Sequence, residues 1–332
     1  MPTMSDEIQS YELADSQGGI AVEGRKWEKH LPDNYLTADA VDKYQEAFVF
    51  LKNSPYVEYP QIVSLETLAS CNAVCNFCPY PALERKGARM SDQLIAKILR
   101  DLEDIPKNVP FFVTLARINE PFLDKRLLSV ARTINDRLPH ASLILFSNVS
   151  PLINATLDQL AQLERVFVLS LSLNDHRREQ YEEIMRIPYA RTMERLDTIH
   201  QRVVDGSFPI PIRVSRVADG TPVDEEFIGF VHERWPRFDV VVYRKSDWLG
   251  AVETPYSPVP DIGCQQWFTM SFLANGKESF CAMDSDGSFA SGGDVATEHV
   301  LSLYNHPSKR RLREQVLSRL TVDPCKRCSL MS

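Results

Sequence analysis

An α/β fold on a parallel sheet is what this sequence predicts, and three observations predict it. From residue 61 to residue 243, six short β-type runs alternate with amphipathic helical runs across short loops. The first run leads straight into Cys71-Asn-Ala-Val-Cys75-Asn-Phe-Cys78, three thiols on one loop. After residue 250 the alternation stops, and a hairpin signal and four more cysteines follow. Alternation of this kind implies right-handed crossovers between parallel strands. It leaves open whether the sheet is doubly wound or curled into a barrel. Three regions result: an N-terminal extension over 1–60, a core over 61–250 and a small C-terminal unit over 251–332.

Taken in order, residues 1–36 are polar and aperiodic and read as partly disordered. A helix is predicted over Ala38–Leu51, with Val41, Tyr44, Phe48 and Leu51 on one face and Pro55 as its stop. Ile62–Leu68 is the strand that delivers the cysteine loop. Ser91 caps a predicted helix on Leu94, Ile95, Ile98, Leu99 and Leu102. Strand Pro110–Ile118 and helix Asp124–Leu138 follow, then strand Ser142–Phe146 and a helix from Thr156 to Leu163. Strand Val166–Leu173 precedes a helix over Thr192–Val204, whose apolar face is Met193, Leu196, Ile199 and Val203. Strand Ile210–Val217, helix Val223–Trp235 and strand Val240–Tyr243 complete the series.

In the C-terminal unit, Asn275-Gly276 lies between the strand-like halves of Phe268–Phe280. It predicts a tight hairpin with both turn residues at positive φ. A last helix is predicted over His306–Leu320, with Leu312, Val316 and Leu320 inward. Its Lys309, Arg310, Arg311 and Arg313 read as a solvated face.

Composition narrows the function classes. An apolar share of 44% in 332 residues is that of an ordinary globular protein. A net charge of −8 argues against a general affinity for nucleic acid or anionic membrane. No apolar run approaches membrane-spanning length, and no signal-peptide pattern opens the sequence. A cytoplasmic location is expected, where clustered cysteines indicate metal or redox chemistry more often than disulfides.

Thiolates at spacings of four and three suit a soft metal centre. The flanks from Glu66 to Arg85 hold no His that would complete a zinc site. Three ligands on a four-iron cluster leave one iron open, and an open position is where a metal site does chemistry. The loop resembles the CxxxCxΦC signature of the radical S-adenosylmethionine (SAM) superfamily, with Phe77 as the aromatic Φ. The resemblance implies a partial (β/α)6 TIM-type barrel with SAM at the strand C-terminal ends. It implies a 4Fe–4S cluster on Cys71, Cys75 and Cys78 that splits SAM into a 5′-deoxyadenosyl radical, and a flavodoxin- or ferredoxin-type reductant. It also implies a set of SAM contacts. Phe77 belongs near the adenine. Asn119-Glu120-Pro121 resembles the family's Gly-Gly-Glu-Pro, a contact to the SAM amino group, with Ile118 and Asn119 in place of the two glycines. Asn148, Ser172 and Asn174 follow the third and fourth strands, and Arg213 or Arg216 is placed for the SAM carboxylate.

Cys264, Cys281, Cys325 and Cys328 form the second set. The hairpin brings the first two near its open end, and Cys325-Lys-Arg-Cys328 is a CxxC knuckle. By residue type alone, four thiolates suit a structural zinc as well as a cluster. The spacing resembles the shortened SPASM module called Twitch, which implies an auxiliary 4Fe–4S cluster on these four cysteines.

All seven cysteines are then ligands, and none remains to return a hydrogen to a substrate radical. That disfavours a radical epimerase of the thiol-quenched kind. A closed second cluster suits electron uptake, hence net oxidation. The pattern resembles the 2-deoxy-scyllo-inosamine dehydrogenases, which implies a small polar substrate such as a sugar or aminocyclitol alcohol. It equally resembles SPASM enzymes that modify or crosslink a precursor peptide. A non-catalytic iron–sulfur carrier is the reading of another class, and the open three-cysteine site argues against it. Glu66, Arg117, Tyr243 and Arg244, at or near predicted strand ends, are candidates for the base or hydrogen-bond partner that oxidation needs.

Overall fold

The computed structural model describes residues 38–254, 259–289, 293–328 and 330, so the expectation for 1–36 lies outside them, as does the side chain of Val41. Strands β1 (Ile62–Leu65), β2 (Phe111–Thr114), β3 (Ala141–Ser147), β4 (Val166–Ser172), β5 (Ile212–Val217) and β6 (Asp239–Tyr243) run parallel in the order 6-5-4-3-2-1. The sheet does not end at β1. Strand β7 (Thr269–Phe272) pairs parallel with β1, and β8 (Glu278–Ser279) pairs antiparallel with β7. Helices α1 (Ala38–Lys52), α2 (Asp92–Leu102), α3 (Leu127–Arg137), α4 (Asn154–Leu160), α5 (Arg178–Met185), α6 (Tyr189–Val204) and α7 (Val223–Arg234) surround it, with α8 (Val300–Tyr304) and α9 (Pro307–Gln315) after the hairpin. Among the described residues no helix is long and apolar enough to cross a membrane.

The period of two along each strand divides the sheet into two faces. Val63, Val113, Leu143, Leu145, Leu169, Leu171, Val214 and Val240 are buried in the main core. The alternate residues Ser64, Thr114, Ile144, Ser172, Ser215, Tyr243 and Thr269 line one cleft. Small and polar side chains on that second face leave room that a Leu or Ile face would fill. Helix α2 shows how the outer layer holds. Ser91 Oγ accepts from Leu94 N at 3.1 Å, a cap worth about 1 kcal/mol. Ile95, Ile98, Leu99 and Leu102 enter the core, at about 1.5–3 kcal/mol each.

Four expectations are corrected. Strands β1 and β2 stop at Leu65 and Thr114, short of Leu68 and Ile118. Side chains take over the backbone groups there: Ala116 N donates to Thr114 Oγ1 (3.3 Å) and Arg117 N to Asn119 Oδ1 (2.8 Å). Helix α5 was not predicted. It has eight residues and a buried face of only Tyr181 and Met185, too little for a helical period to register. The hairpin turn has only Gly276 at positive φ (84°). Gly276 N donates to Leu273 O and Leu273 N to Lys277 O, both at 2.8 Å, which makes a type I turn closed by a glycine bulge.

The fourth correction concerns the last helix, which ends at Gln315. Val316 is extended, and Ser318 caps a separate turn over Arg319–Thr321. Leu312 and Val316 pack partly buried against the core as expected, but Leu320 is 42% exposed, and the fully buried residues are Arg313 and Arg319. Arg313 lies 3.7 Å from the Tyr304 ring centroid and donates to the carbonyls of Val57 and Tyr304. Lys309 pairs with buried Glu278. The basic run is therefore half turned inward, not a solvated face.

Candidate active site and the second cysteine cavity

The cysteine loop is clamped at its base before it is anything else. Met90 N donates to Thr67 O (3.0 Å), Ala69 N to Ala88 O (2.8 Å) and Gly87 N to Ala69 O (2.8 Å). Arg85 reaches back with Nε and Nη2 to the two oxygens of Glu66, at 2.7 and 2.8 Å. Glu66 is fully buried and also accepts from Ala274 N at 3.0 Å. It does not line the cleft, and its role is to tie the cysteine loop to the hairpin. That corrects its place among the candidate bases: Arg85, Ala274 N and Ile118 N (3.4 Å) between them take all four acceptor sites of the carboxylate.

The loop sets Cys71, Cys75 and Cys78 along the wall of the cleft, at the C-terminal ends of the strands. Cys71 Sγ accepts from Ala73 N at 3.4 Å and lies 4.0 Å from Asn148 Nδ2. Cys75 donates to Met185 Sδ at 3.4 Å. Burial pushes the Cys71 thiol up to about 11 and raises Cys75 and Cys78 as well. The neighbouring thiols add to the shift at Cys75, because three thiolates in one place repel each other. Such a set ionises when a cation binds it.

Glu120 lines the same cleft and is joined to the cysteine loop through Asn148. Its carboxylate accepts from Ser147 Oγ (3.0 Å), Asn148 N (2.6 Å) and Phe122 N (3.2 Å). Desolvation nevertheless raises it to about 7, and those three donors pull it back only in part. A cationic partner in the cleft would repay that burial. Asn119 uses its side chain where two glycines were expected: Oδ1 takes Arg117 N, and Nδ2 donates to Leu68 O at 3.0 Å. Phe77, Asn119, Pro121, Asn148, Ser172 and Asn174 all line the same cleft of about 280 Å³. Asn174 is at φ 62°, accepts from Val217 N (3.0 Å) and donates to Met185 Sδ (2.9 Å).

The two arginines proposed for a SAM carboxylate are not in the cleft. Arg216 has the strand parity that faces the helices. It pairs with Asp224 (2.6 Å), Asp219 (2.6 Å) and Asp175 (3.1 Å) while fully buried. Arg213 has the opposite parity but sits at the N-terminal end of β5, in register with Asp239. Its charge lowers the Asp239 carboxyl, which burial otherwise raises. Arg117, Tyr243 and Arg244 do line the cleft. Arg117 Nη2 reaches out of it to Ser279 Oγ (3.0 Å) and to the carbonyls of Cys281 and Asp284 (both 3.2 Å).

Cys264, Cys281, Cys325 and Cys328 line one enclosed cavity. No two of the seven cysteines are disulfide-bonded. Burial raises the Cys325 thiol to about 11, Cys328 to about 12 and Cys281 further, and Cys264 adds to all three. Cys264 thus faces the other three. Among the described residues no three His, Cys, Asp or Glu side chains close on the position of a single ion. All-sulfur donor sets of three and of four fit an open and a closed cluster respectively.

Sequence reasoning missed Met185, Trp248 and the residues between the two cavities. Trp248 Nε1 donates to Phe77 O at 3.2 Å and lines the cleft, while the next residue, Leu249, lines the second cavity. Gln266 and Met283 line both. One layer of side chains separates the two sites.

No family model matches the chain, and no curated protein matches it in sequence. Solved structures of radical SAM enzymes do match in fold. SuiB of Streptococcus suis bound to precursor peptide SuiA is 15% identical, with a TM-score of 0.64 over 98% of this chain and 81% of that one. BtrN in complex with AdoMet and 2-DOIA is 16% identical, with a TM-score of 0.54 over 81% of this chain and 92% of that one. anSMEcpe with bound AdoMet is 11% identical, with a TM-score of 0.52 over 76% and 82%. The fold is the partial barrel of these proteins.

Proposed function

We propose that this chain is a radical SAM enzyme that oxidises a small polar substrate, such as a sugar or aminocyclitol alcohol, and passes the electron to a second cluster. The observation that carries the reading is the wall shared by the two cysteine cavities, one layer of side chains around Gln266 and Met283. When bound, a 4Fe–4S cluster on Cys71, Cys75 and Cys78 with SAM supplies a 5′-deoxyadenosyl radical, at the cost of one electron from a low-potential carrier. A cluster on Cys264, Cys281, Cys325 and Cys328 supplies a one-electron acceptor.

The chain's own residues do the rest. Glu120 faces the SAM ammonium with a buried carboxylate. Asn148 and the Ala73 amide hold Cys71 in place, and Met185 seats Cys75. Phe77, whose carbonyl is held by Trp248 Nε1, offers an apolar face to the adenine. Arg117 and Arg244 hold the substrate's polar groups, and the Tyr243 hydroxyl relays the proton lost on oxidation. With the cofactors bound, the alcohol carbon would lose one hydrogen atom, and the resulting carbon radical would lose the hydroxyl proton to the cleft and one electron to the acceptor, leaving a carbonyl.

Bound AdoMet and 2-DOIA in BtrN support the small-substrate reading. Precursor peptide SuiA in SuiB, at the higher TM-score, supports peptide modification as the second. Anaerobic reconstitution followed by iron analysis and by transfer of substrate deuterium into 5′-deoxyadenosine tests the proposal. About eight iron per chain and deuterium transfer from an alcohol carbon support it. Transfer from a peptide alone would install the second reading.

A further inference from the structure

Arg319 is fully buried, and among the described residues every hydrogen bond it makes ends on a neutral oxygen. Nε donates to the carbonyls of Ile262 (3.2 Å) and Gly263 (3.3 Å). Nη1 donates to the carbonyls of Cys328 (3.3 Å) and Leu330. Nη2 donates to Gly263 O (2.8 Å) and Tyr44 Oη (2.9 Å). Its donors are satisfied, yet no carboxylate among the described residues pairs with it. A buried charge without a counter-charge is expensive even when hydrogen-bonded. Arg216, equally buried, shows what this chain does for a purely structural guanidinium: three aspartates surround it. Arg313 also lacks a contacting carboxylate, but it lies flat on Tyr304 at 3.7 Å, whereas Arg319 stands 5.5 Å from the Tyr44 ring.

What Arg319 does face is the second cysteine cavity, whose wall it forms. Its bonds to the Cys328 carbonyl and to the Gly263 carbonyl, next to Cys264, seat it against two of the four cysteines. Tyr44 extends the contact. Its oxygen accepts from Gln265 N (2.9 Å) and from Arg319, which uses both lone pairs. The buried Tyr44 hydroxyl thus bridges Arg319 and the Gln265 amide, the residue after Cys264. A buried cation lies against the cavity of the four thiols, with a phenol bonded behind it.

Resting on the proposed cluster at these four cysteines, we infer that Arg319, assisted by Tyr44, is its buried counter-charge and sets its reduction potential above that of the three-cysteine cluster. Four thiolates make such a cluster anionic, and an added electron makes it more so. A fixed positive charge in a low dielectric favours the reduced form. The substrate radical loses one electron and one proton; the electron goes to the site that Arg319 holds positive, and the proton leaves through the cleft. Neither Arg319 nor Tyr44 lines the SAM cleft, so these two act on the acceptor.

The test is an electron-paramagnetic-resonance redox titration of reconstituted protein carrying Arg319→Met, Arg319→Lys or Tyr44→Phe. Arg319→Met is expected to lower the second cluster's one-electron equilibrium constant at least tenfold, ~59 mV. Arg319→Lys should keep most of the potential, Tyr44→Phe should lower it by less, and the three-cysteine cluster should not move in any variant. If Arg319→Met does not fold, Tyr44→Phe decides. Variants with both clusters present and an unmoved second potential overturn this inference alone. Unaltered protein with only about four iron per chain sinks the cluster reading beneath it as well.

Discussion

The two cysteine sites are built in opposite ways. Cys71, Cys75 and Cys78 come from one loop of eight residues, clamped by Thr67, Ala69 and Arg85, and stand half-buried on the wall of an open cleft. The other four come from a strand entry, a hairpin exit and a C-terminal knuckle, and all four are buried. On the proposed function, the local site is the one open to a ligand and suits chemistry, and the assembled, buried site suits electron storage.

Replacing ligands should break this contrast most sharply. Cys75→Ala is expected to bring SAM cleavage to background, read as 5′-deoxyadenosine by chromatography. Cys281→Ala should bring substrate turnover to background while SAM cleavage stays within about tenfold of the unaltered protein. Full turnover in Cys281→Ala would remove the acceptor role.

Stability sharpens the comparison next. Arg216→Met leaves Asp224 buried and unpaired, so a loss of about 3–5 kcal/mol in denaturant unfolding is expected, with SAM affinity unchanged. A selective loss of SAM binding would restore Arg216 as a SAM ligand.

Glu120→Gln should weaken SAM binding ~10–150-fold, the worth of one charge-assisted hydrogen bond. The pH dependence has a definite sign. The carboxyl sits near 7 in the SAM-free protein because burial disfavours its charge. Only the ionised form pairs with an ammonium, so affinity is full above pH 7 and lost as pH falls through it. Calorimetry at pH 6 and pH 8 should show roughly tenfold weaker binding at the lower pH, and a flat profile would contradict the pairing. The smallest effect is at Leu320, which points outward: Leu320→Ser should change stability by less than about 0.5 kcal/mol.

Much of this was legible in the sequence, for physical reasons that differ by element. The β1–β6 alternation and the α2 face follow from local periodicity, and the cysteine loop from spacing. Glu120 was legible because it follows a strand end within one short motif. Arg216 was misjudged because strand parity, not residue type, decides which face an arginine takes, and a strand's exact register is not local information. Glu66 was misjudged because its partner, Arg85, lies on the far side of the cysteine loop. Tyr44 meets Arg319 across 275 residues, a contact no spacing announces. Arg313 and Lys309 looked like solvated charges because composition records charge but not the Tyr304 ring or the Glu278 carboxylate that draws each inward.

The central claim is that Cys71, Cys75 and Cys78 hold a cluster with one open iron at which SAM is split. Reconstituted protein, kept free of oxygen and supplied with a strong reductant and SAM, tests it most directly. The account expects 5′-deoxyadenosine and methionine in equal amounts; intact SAM beside a fully loaded three-cysteine cluster would contradict it.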